Sequence, residues 1–118
     1  MIQFSLPLPP PSNNLFPGTG RRHPSKRYEA WRAEATPLVP RGRIDGCYIM
    51  RVGVDRPDRR KRDIANLEKA LGDLVVSCGL VADDSLMDRL EMWWTKRPVG
   101  RGAMAHIWLS PVTEEVAL

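Results

Sequence analysis

Apolar and polar residues follow two spacings along this chain, one typical of strands and one typical of helices. The alternation over residues 1–8 predicts a strand, and the prolines of residues 7–11 end it because proline lacks a backbone donor. Residues 43–54 form a largely apolar, β-branched run. This run predicts a buried strand, with a bulge or turn at Gly46 or Gly53.

Helical spacing begins after Ser25. Tyr28, Trp31 and Ala35 recur every three or four residues, and proline follows this stripe. The pattern predicts a helix over residues 26–36 with Ser25 as its N-terminal cap.

Residues 64–78 have the strongest helical period of the chain. Their apolar residues form one stripe along a helix, and polar residues occupy a separate face. Asp63 is a good N-cap for this helix, and Gly79 is a natural terminator.

The last two predicted elements are strands at residues 88–96 and 103–110. The turn-forming residues 98–102 between them predict a hairpin. Trp93 and Trp94 then point to opposite faces of one strand. We expect one tryptophan in the core and Trp93 at a contact between two copies of the chain, with burial of both as the alternative.

Together these elements predict an α+β fold in which two helices pack on a mixed β-sheet. The chain of 118 residues is long enough for one hydrophobic core and too short for two ordinary domains. Residues 1–118 are therefore expected to form a single small domain.

Charge divides the chain into a basic half and an acidic half. Residues 1–62 contain 13 Lys and Arg against 5 Asp and Glu, whereas residues 63–118 contain 5 against 9. A pI near 9.5 with clustered cations favours a nucleic-acid partner. No apolar run approaches the ~20 residues of a membrane span, and the N-terminus lacks a signal pattern. We expect a cytoplasmic protein without membrane contact, with Cys47 and Cys78 as buried free thiols.

Two basic stretches are candidates for contact with a phosphate backbone. The first lies in the Pro-, Ser- and Asn-rich loop of residues 9–24 and continues into the first predicted helix, and the second directly precedes Asp63. A solvated loop and a solvated charge run are the alternative interpretations. The candidate DNA-contacting residues are Arg21, Arg22, Lys26, Arg27, Arg59, Arg60, Lys61 and Arg62.

Acidic residues follow the second basic stretch and suggest a metal site. Asp63 would supply an oxygen ligand at a helix N-terminus, where a phosphate is also favoured. Mg²⁺ in proteins takes one or two carboxylates together with waters and substrate phosphate oxygens, and Asp83 and Asp84 are the next acids available. Because the intervening helix spans roughly 22 Å, they reach Asp63 only if the chain runs back along the helix after Gly79. A plain helix cap and an ordinary turn are the alternatives.

These motifs resemble those of a known family. DRRKRDIANLEKALGDL at residues 58–74, with GLVADDS at residues 79–85, is similar to the signature of the RusA family of Holliday junction resolvases. LPLPPPSNN at residues 6–14 resembles that family's first strand and Pro-rich loop. The resemblance implies a bacterial or prophage-encoded RusA-like homodimer. It also implies binding to four-way DNA junctions and nicking of paired strands with Mg²⁺, or with Mn²⁺ in its place.

The resemblance also assigns roles by position. Asp63 matches the family's first catalytic aspartate, Lys69 a lysine needed near the scissile phosphate, and Asp84 the final aspartate, with Asp83 as its acidic neighbour. The family often has a second aspartate two residues after the first. This chain has Ala65 there, which cannot ligate metal.

Three explanations of Ala65 are open. Asn66 presents its side-chain oxygen instead, or Asp83 or Asp58 enters the metal shell, or the protein binds junctions without cutting them. We favour a retained but altered metal site, because the other three matched positions all remain. A non-catalytic junction-binding or duplex-binding protein of the same fold is the alternative function. An RNA-binding module is disfavoured because no aromatic-rich RNP-type string appears.

Overall fold

The computed structural model of the chain describes residues 1–16 and 23–112. Its strands form one four-stranded sheet in the order β1-β4-β2-β3, in which β2 and β3 are parallel and the other neighbours are antiparallel. The predicted α+β fold, a mixed sheet with two helices, is confirmed. The strands and helices are β1 (Ile2–Pro7), α1 (Lys26–Ala35), β2 (Tyr48–Val54), α2 (Glu68–Ser77), β3 (Met87–Trp94) and β4 (Met104–Pro111).

One hydrophobic core lies between the sheet and the two helices. Alternate strand residues such as Leu6, Val52 and Ile107 are fully buried on one face of the sheet. Trp31 of α1 and Leu71 of α2 are buried against the same cluster. Burial of each large apolar side chain stabilises the fold by about 1.5–3 kcal/mol, so this layer supplies much of the driving force for folding.

Helix α1 begins and ends as its pattern predicts. Ser25 Oγ accepts a hydrogen bond from the Tyr28 backbone N–H at 3.0 Å, which confirms the N-cap. The indole N–H of Trp31 donates to the Pro7 carbonyl at 2.8 Å. This bond joins α1 to the end of β1 and fixes the position of α1 relative to that strand.

The segment predicted as one helix over residues 64–78 has two parts. Ile64–Leu67 form a 3₁₀-helix capped by Asp63, and α2 follows from Glu68. Gly79 ends α2 with a φ of 78°, and the Leu80 and Gly79 N–H groups donate to the Val75 and Val76 carbonyls, each at 3.0 Å. These paired bonds form a Schellman motif, which confirms Gly79 as the terminator.

The predicted hairpin of the last two strands is wrong. Strand β2 lies between β3 and β4 and pairs with both. The reason is visible in β2 itself, where Ile49 and Met50 are both buried although they face opposite sides of the sheet. A strand covered on both faces takes a central position, so the segment after β3 crosses the end of β2 before β4 begins.

The start of β2 also differs from the prediction. The strand begins at Tyr48, whereas a start at residue 43 was expected, because the preceding segment turns at Gly46 with a φ of 78°. Irregular pairing occurs between Tyr48 and Ile49, and Gly53 is regularly paired. Both cysteines are free, but Cys47 is exposed and Cys78 is half-buried, so the prediction of two buried thiols is wrong.

Buried Asp55 joins the crossing segment to β2. Only 2% of this residue is exposed. Its carboxylate accepts hydrogen bonds from Thr95 Oγ1 at 2.6 Å and from the Met104 N–H at 3.1 Å, and His106 Nε2 lies 3.1 Å away. One side chain therefore holds the end of β3, the start of β4 and the end of β2 together.

The opposite face of the sheet carries a row of residues from all four strands. Ser5, His106, Gly53 and Trp93 are successive partners across the sheet. A Cβ at position 53 would lie 3.1 Å from the Trp93 ring, so glycine lets that ring lie on β2. Trp93 also stacks on Trp108 with ring centroids 5.7 Å apart.

The two neighbouring tryptophans do point to opposite faces, as predicted. Trp94 packs against the core, whereas Trp93 lies on the opposite face and is 40% exposed. None of the helices in the described part of the chain is long and apolar enough to cross a membrane.

Candidate functional site

A cavity of about 470 Å³ opens where the Pro-rich loop, α1, the segment after β2 and the end of β3 meet. Its polar lining comprises Asn13, Arg27, Lys61, Arg62, Asp63 and Asn66. Its apolar lining comprises Leu8, Pro9, Pro11, Pro57, Leu67 and Trp94. The fold thus brings part of each basic stretch together with the first predicted catalytic aspartate.

Asp58 organises the second basic stretch. Its carboxylate accepts hydrogen bonds from Arg62 Nε at 3.0 Å and Nη2 at 2.5 Å, and from the Arg60 backbone N–H at 3.1 Å. The Arg62 hydrogen bonds hold the pKa of the Asp58 carboxyl well below its usual range, since together with the Arg62 charge and the Arg60 hydrogen bonds they outweigh desolvation, which acts to raise it. Asp58 is therefore engaged in orienting Arg62 toward the cavity.

Asp63 and Asn66 lie at opposite ends of one 3₁₀-helical turn, and both line the cavity. Asp63 Oδ1 accepts from the Ala65 backbone N–H at 3.1 Å. Ser12 Oγ lies 3.5 Å from Asn66 Oδ1, which is a long contact between the Pro-rich loop and this turn. A carboxylate and an amide thus line the same cavity as the cations.

The other predicted catalytic residues lie outside the described lining of this cavity. Lys69 pairs with Asp73 one turn along α2, with 3.3 Å between Nζ and Oδ2. Asp84 begins the short 3₁₀-helix before β3. Asp83 accepts a hydrogen bond from Ser85 Oγ at 2.7 Å, and bonds from Ser85 and Asp84 lower its pKa.

Glu68 is an acidic residue near Asp84 that the sequence did not single out. Burial raises the pKa of Glu68, and the negative charge of Asp73 raises it further. Lys69 acts to lower this pKa, and Asp84 has a smaller raising effect. Tyr48 is fully buried, and its hydroxyl has no hydrogen-bond partner among the described residues. Burial, followed by the charges of Asp84 and Glu68, raises the pKa of Tyr48. In the sequence Glu68 looks like any polar residue in a first helical turn, and only its partial burial distinguishes it.

The remaining candidate DNA contacts are not part of the lining of the cavity among the described residues. Lys26, Arg59 and Arg60 are exposed. Arg21 and Arg22 lie outside the described residues. The structure therefore places Arg27, Lys61 and Arg62 of the predicted set at one site.

Known proteins resemble this chain over almost its whole length. The crossover junction endodeoxyribonuclease RusA of Shigella sonnei (strain Ss046) is 31% identical over 122 aligned residues, which cover 98% of this chain and 100% of the relative. The proteins of that name from Escherichia coli (strain K12) and Enterobacteria phage 82 are each 30% identical over the same shares. The chain belongs to the RusA family. No protein-family model matches it.

The donor atoms present suit the metal that the RusA resemblance implies. Among residues 1–16 and 23–112 there is no group of three or more His, Cys, Asp or Glu arranged to hold a metal ion. Mg²⁺ needs only one or two carboxylates when waters and substrate phosphates complete its shell. Asp63 and Asn66 offer hard oxygen donors in a cavity that is also lined by Arg27, Lys61 and Arg62, so the residues present fit a metal whose shell is completed by other ligands.

Proposed function

We propose that this protein is a structure-selective endodeoxyribonuclease that resolves four-way DNA junctions in recombination and repair, with Mg²⁺ as its cofactor. The observation that carries the proposal is the cavity that Asp63 and Asn66 line together with Arg27, Lys61 and Arg62, in a chain of the RusA family. Cations bind the phosphodiester there, and an acid beside it is the residue type that metal-assisted hydrolysis requires.

The basic residues hold the DNA backbone. Arg27, Lys61 and Arg62 contact the phosphates nearest the cavity, and the other predicted cations hold the flanking strands. Contacts of this kind release counterions from DNA, so binding weakens steeply as salt increases. Asp58 keeps the guanidinium of Arg62 in place before DNA binds, which reduces the entropy lost on binding.

In the proposed mechanism, Asp63 and Asp84 would hold the cation, with Asp83 and Asn66 as additional oxygen donors. A bound Mg²⁺, or Mn²⁺ in its place, would supply Lewis-acid chemistry and a bound water of lowered pKa. Lys69 leaves its ion pair with Asp73 and stabilises the negative charge that develops on the phosphate. Glu68 adds a carboxylate near Asp84, in a chain that has Ala65 where the family resemblance implies an acid.

The nuclease test compares synthetic four-way junctions, linear duplex and single strands, with Mg²⁺ and with EDTA. We expect paired nicks in the junction alone, and only with Mg²⁺. Asp63→Asn and Asp84→Asn should each reduce nicking by about 100-fold or more. Asp45→Asn removes an exposed carboxylate that pairs with Arg43, and it should nick like the wild type. Nicking by Asp63→Asn at the wild-type rate would refute the assignment.

A non-catalytic junction-binding protein is the second candidate function. Ala65 favours it, because the resemblance implies a carboxylate at this position. The same experiment separates the two functions. A junction that is retarded in a gel but stays intact in Mg²⁺ supports the binding protein, whereas paired nicks support the enzyme.

We also propose that the protein acts as a homodimer. A closed two-fold dimer matches the two-fold symmetry of a four-way junction. The face of the sheet that carries Trp93 and Trp108 is a candidate contact, because it presents a stacked aromatic pair. Trp93→Glu should convert the dimer to a monomer in sedimentation, whereas Val99→Glu, at a residue that is 42% exposed, should leave it intact. A wild-type protein that sediments only as a monomer at micromolar concentration contradicts this proposal.

A further inference from the structure

We infer that the cavity beside Asp63 takes one unpaired nucleotide of the DNA, with its base on Trp94 and its phosphate on Arg27, Lys61 and Arg62. This inference rests on the proposed function for the source of the nucleotide, and it adds what the site recognises. The strand would enter the cavity at the branch point, where base pairing ends.

The size of the cavity suits a single nucleotide. Its volume of about 470 Å³ falls within the range of roughly 300–1,000 Å³ that is typical of sites for small ligands. A cavity of this volume does not hold a duplex, whose phosphates can contact only the exposed cations at its rim. A base reaches the apolar lining and Trp94 only if its nucleotide leaves the base stack.

Trp94 provides a fixed aromatic surface for the base. It is the last residue of β3, and the Arg56 guanidinium lies 4.6 Å from the centroid of its ring. Arg56 does not line the cavity, so its cation–π contact holds the ring without occupying the space in front of it. Pro9, Pro11 and Pro57 add rigid apolar surface to the lining. Aromatic rings bind unpaired bases by stacking, and every base has a face that can stack.

The polar lining matches the rest of a nucleotide. Arg27, Lys61 and Arg62 provide three positive charges for the phosphate. Asn13 and Asn66 each carry an amide that both donates and accepts hydrogen bonds, which is the functional group suited to the edge of a base. The apolar wall, the cations and the amides thus correspond to the three chemical parts of one ligand.

This arrangement gives a physical reason for selectivity toward branched DNA. A base inside a duplex has to be unstacked and unpaired before it can enter the cavity. At a branch point that cost is already partly met, so stacking on Trp94 adds more to junction binding than to duplex binding. Phosphate contacts alone would not distinguish the two substrates.

Photocrosslinking tests the inference on the unmodified protein. A set of junctions carries one 5-iodo-2′-deoxyuridine each, placed at or near the branch point, and is irradiated with the protein in EDTA so that no cleavage occurs. We expect a crosslink from a branch-point position that is several-fold stronger than from the same base in a duplex. Trypsin releases residues 90–96 as one peptide that holds both neighbouring tryptophans, and tandem mass spectrometry then locates the crosslink at Trp94.

Matched variants complete the test. Trp94→Leu should abolish the crosslink and weaken junction binding about tenfold, with duplex binding unchanged. Leu90→Ala alters an exposed side chain of the same strand, at a residue outside the cavity and outside the proposed dimer contact, and should retain the crosslink. A crosslink that maps elsewhere, is equally strong in duplex, or is absent although the junction is bound would overturn the inference.

The result separates this inference from the proposed function. Paired nicks in Mg²⁺ without a Trp94 crosslink leave the nuclease intact and refute the nucleotide site. A Trp94 crosslink in a protein that never nicks supports the nucleotide site and refutes the nuclease. Failure to bind junctions at all refutes both.

Discussion

Ala65 is exposed, and its backbone N–H donates to Asp63 Oδ1 at 3.1 Å. The contribution of this residue to the candidate site is therefore a backbone hydrogen bond that orients the Asp63 carboxylate. Every residue except proline can keep that bond at position 65, because the donor is the backbone N–H. An acid can be introduced there without burying a charge, so the effect of the absent carboxylate can be measured directly.

We predict that Ala65→Asp lowers the Mg²⁺ concentration for half-maximal junction nicking by about tenfold, because a second carboxylate strengthens the binding of a hard cation. The measurement is a Mg²⁺ titration of nicking at fixed ionic strength. Ala65→Asn is the matched control, since it has the same size without the charge. An unchanged Mg²⁺ dependence in Ala65→Asp would place the metal away from this turn.

Single residues were predictable where their role is local. Asp63 as a cap, Ser25 as a cap and Gly79 as a terminator depend only on neighbours in sequence, and all three are confirmed. Glu68 was missed because its partial burial depends on the surrounding fold. Local hydrogen bonding is encoded within a few residues, whereas burial is not.

At the scale of elements, Ser25 connects α1 to the loop that lines the cavity. Its hydroxyl caps the helix at Tyr28 N–H and donates to the Asn14 carbonyl at 2.7 Å. Its own N–H donates to the Leu15 carbonyl at 2.8 Å. The start of α1, and with it Arg27, is thus positioned relative to the Pro-rich loop.

Ser25→Ala should lower the free energy of unfolding by about 1 kcal/mol, because the helix loses its cap. Urea denaturation followed by circular dichroism measures this change. Ser77→Ala in α2 is the control. The Ser77 hydroxyl donates at 3.0 Å to the Leu74 carbonyl of its own helix, and loss of this local bond should change the free energy of unfolding little. Equal stabilities of the two variants would show that the cap contributes nothing to α1.

The strands show why elements are easier to predict than their pairing. Alternation located β1, β3 and β4 to within a few residues. It did not show that β2 separates β3 from β4. Alternation describes each strand singly, whereas the pairing of strands depends on how all of them pack in the sheet. The apolar residues on both faces of β2 were the signal for a central strand, and they outweigh the short connection between β3 and β4.

At the scale of the whole molecule, Asp55 is the buried charge that holds the crossing segment. Burial acts to raise its pKa, but the hydrogen bonds from Thr95, Met104 and His106 outweigh burial and lower the pKa of the carboxyl. Arg97 Nε, 3.3 Å from Asp55 Oδ2, adds an ion pair. Because the pKa is lower in the folded state than in the unfolded chain, ionised Asp55 stabilises the fold.

This contribution is present above the unfolded pKa of about 3.9 and is lost as the pH falls through the folded value. We predict that Asp55→Asn lowers the free energy of unfolding by about 2 kcal/mol at neutral pH. The difference from the wild type should shrink progressively in acid. Denaturant titrations between about pH 3 and pH 7 measure it. The exposed Asp45→Asn serves as the control, and a difference for Asp55→Asn that does not vary with pH would refute the role of its charge.

The cavity is also a property of the whole molecule. Its lining comes from segments as far apart in sequence as Leu8 and Trp94, and only the packing of the Pro-rich loop, α1 and β3 places them together. Arg27 and Lys61 were both candidate DNA contacts, yet nothing in the sequence placed them at one site. Trp94 entered the sequence interpretation only as one of two tryptophans on opposite faces of a strand.

By itself, the sequence determined the positions and types of most elements, the caps and the terminator, the separation of basic and acidic segments, and the resemblance to the RusA family. Only the tertiary structure decided the order of the strands, the burial of Asp55, the partial burial of Glu68, and the meeting of Arg27, Asp63 and Trp94 around one cavity. The physical reason is the separation along the sequence of the residues that interact. Periodicity and capping arise from hydrogen bonds and side-chain directions within a few residues, whereas pairing, burial and cavities arise from contacts between segments distant along the chain.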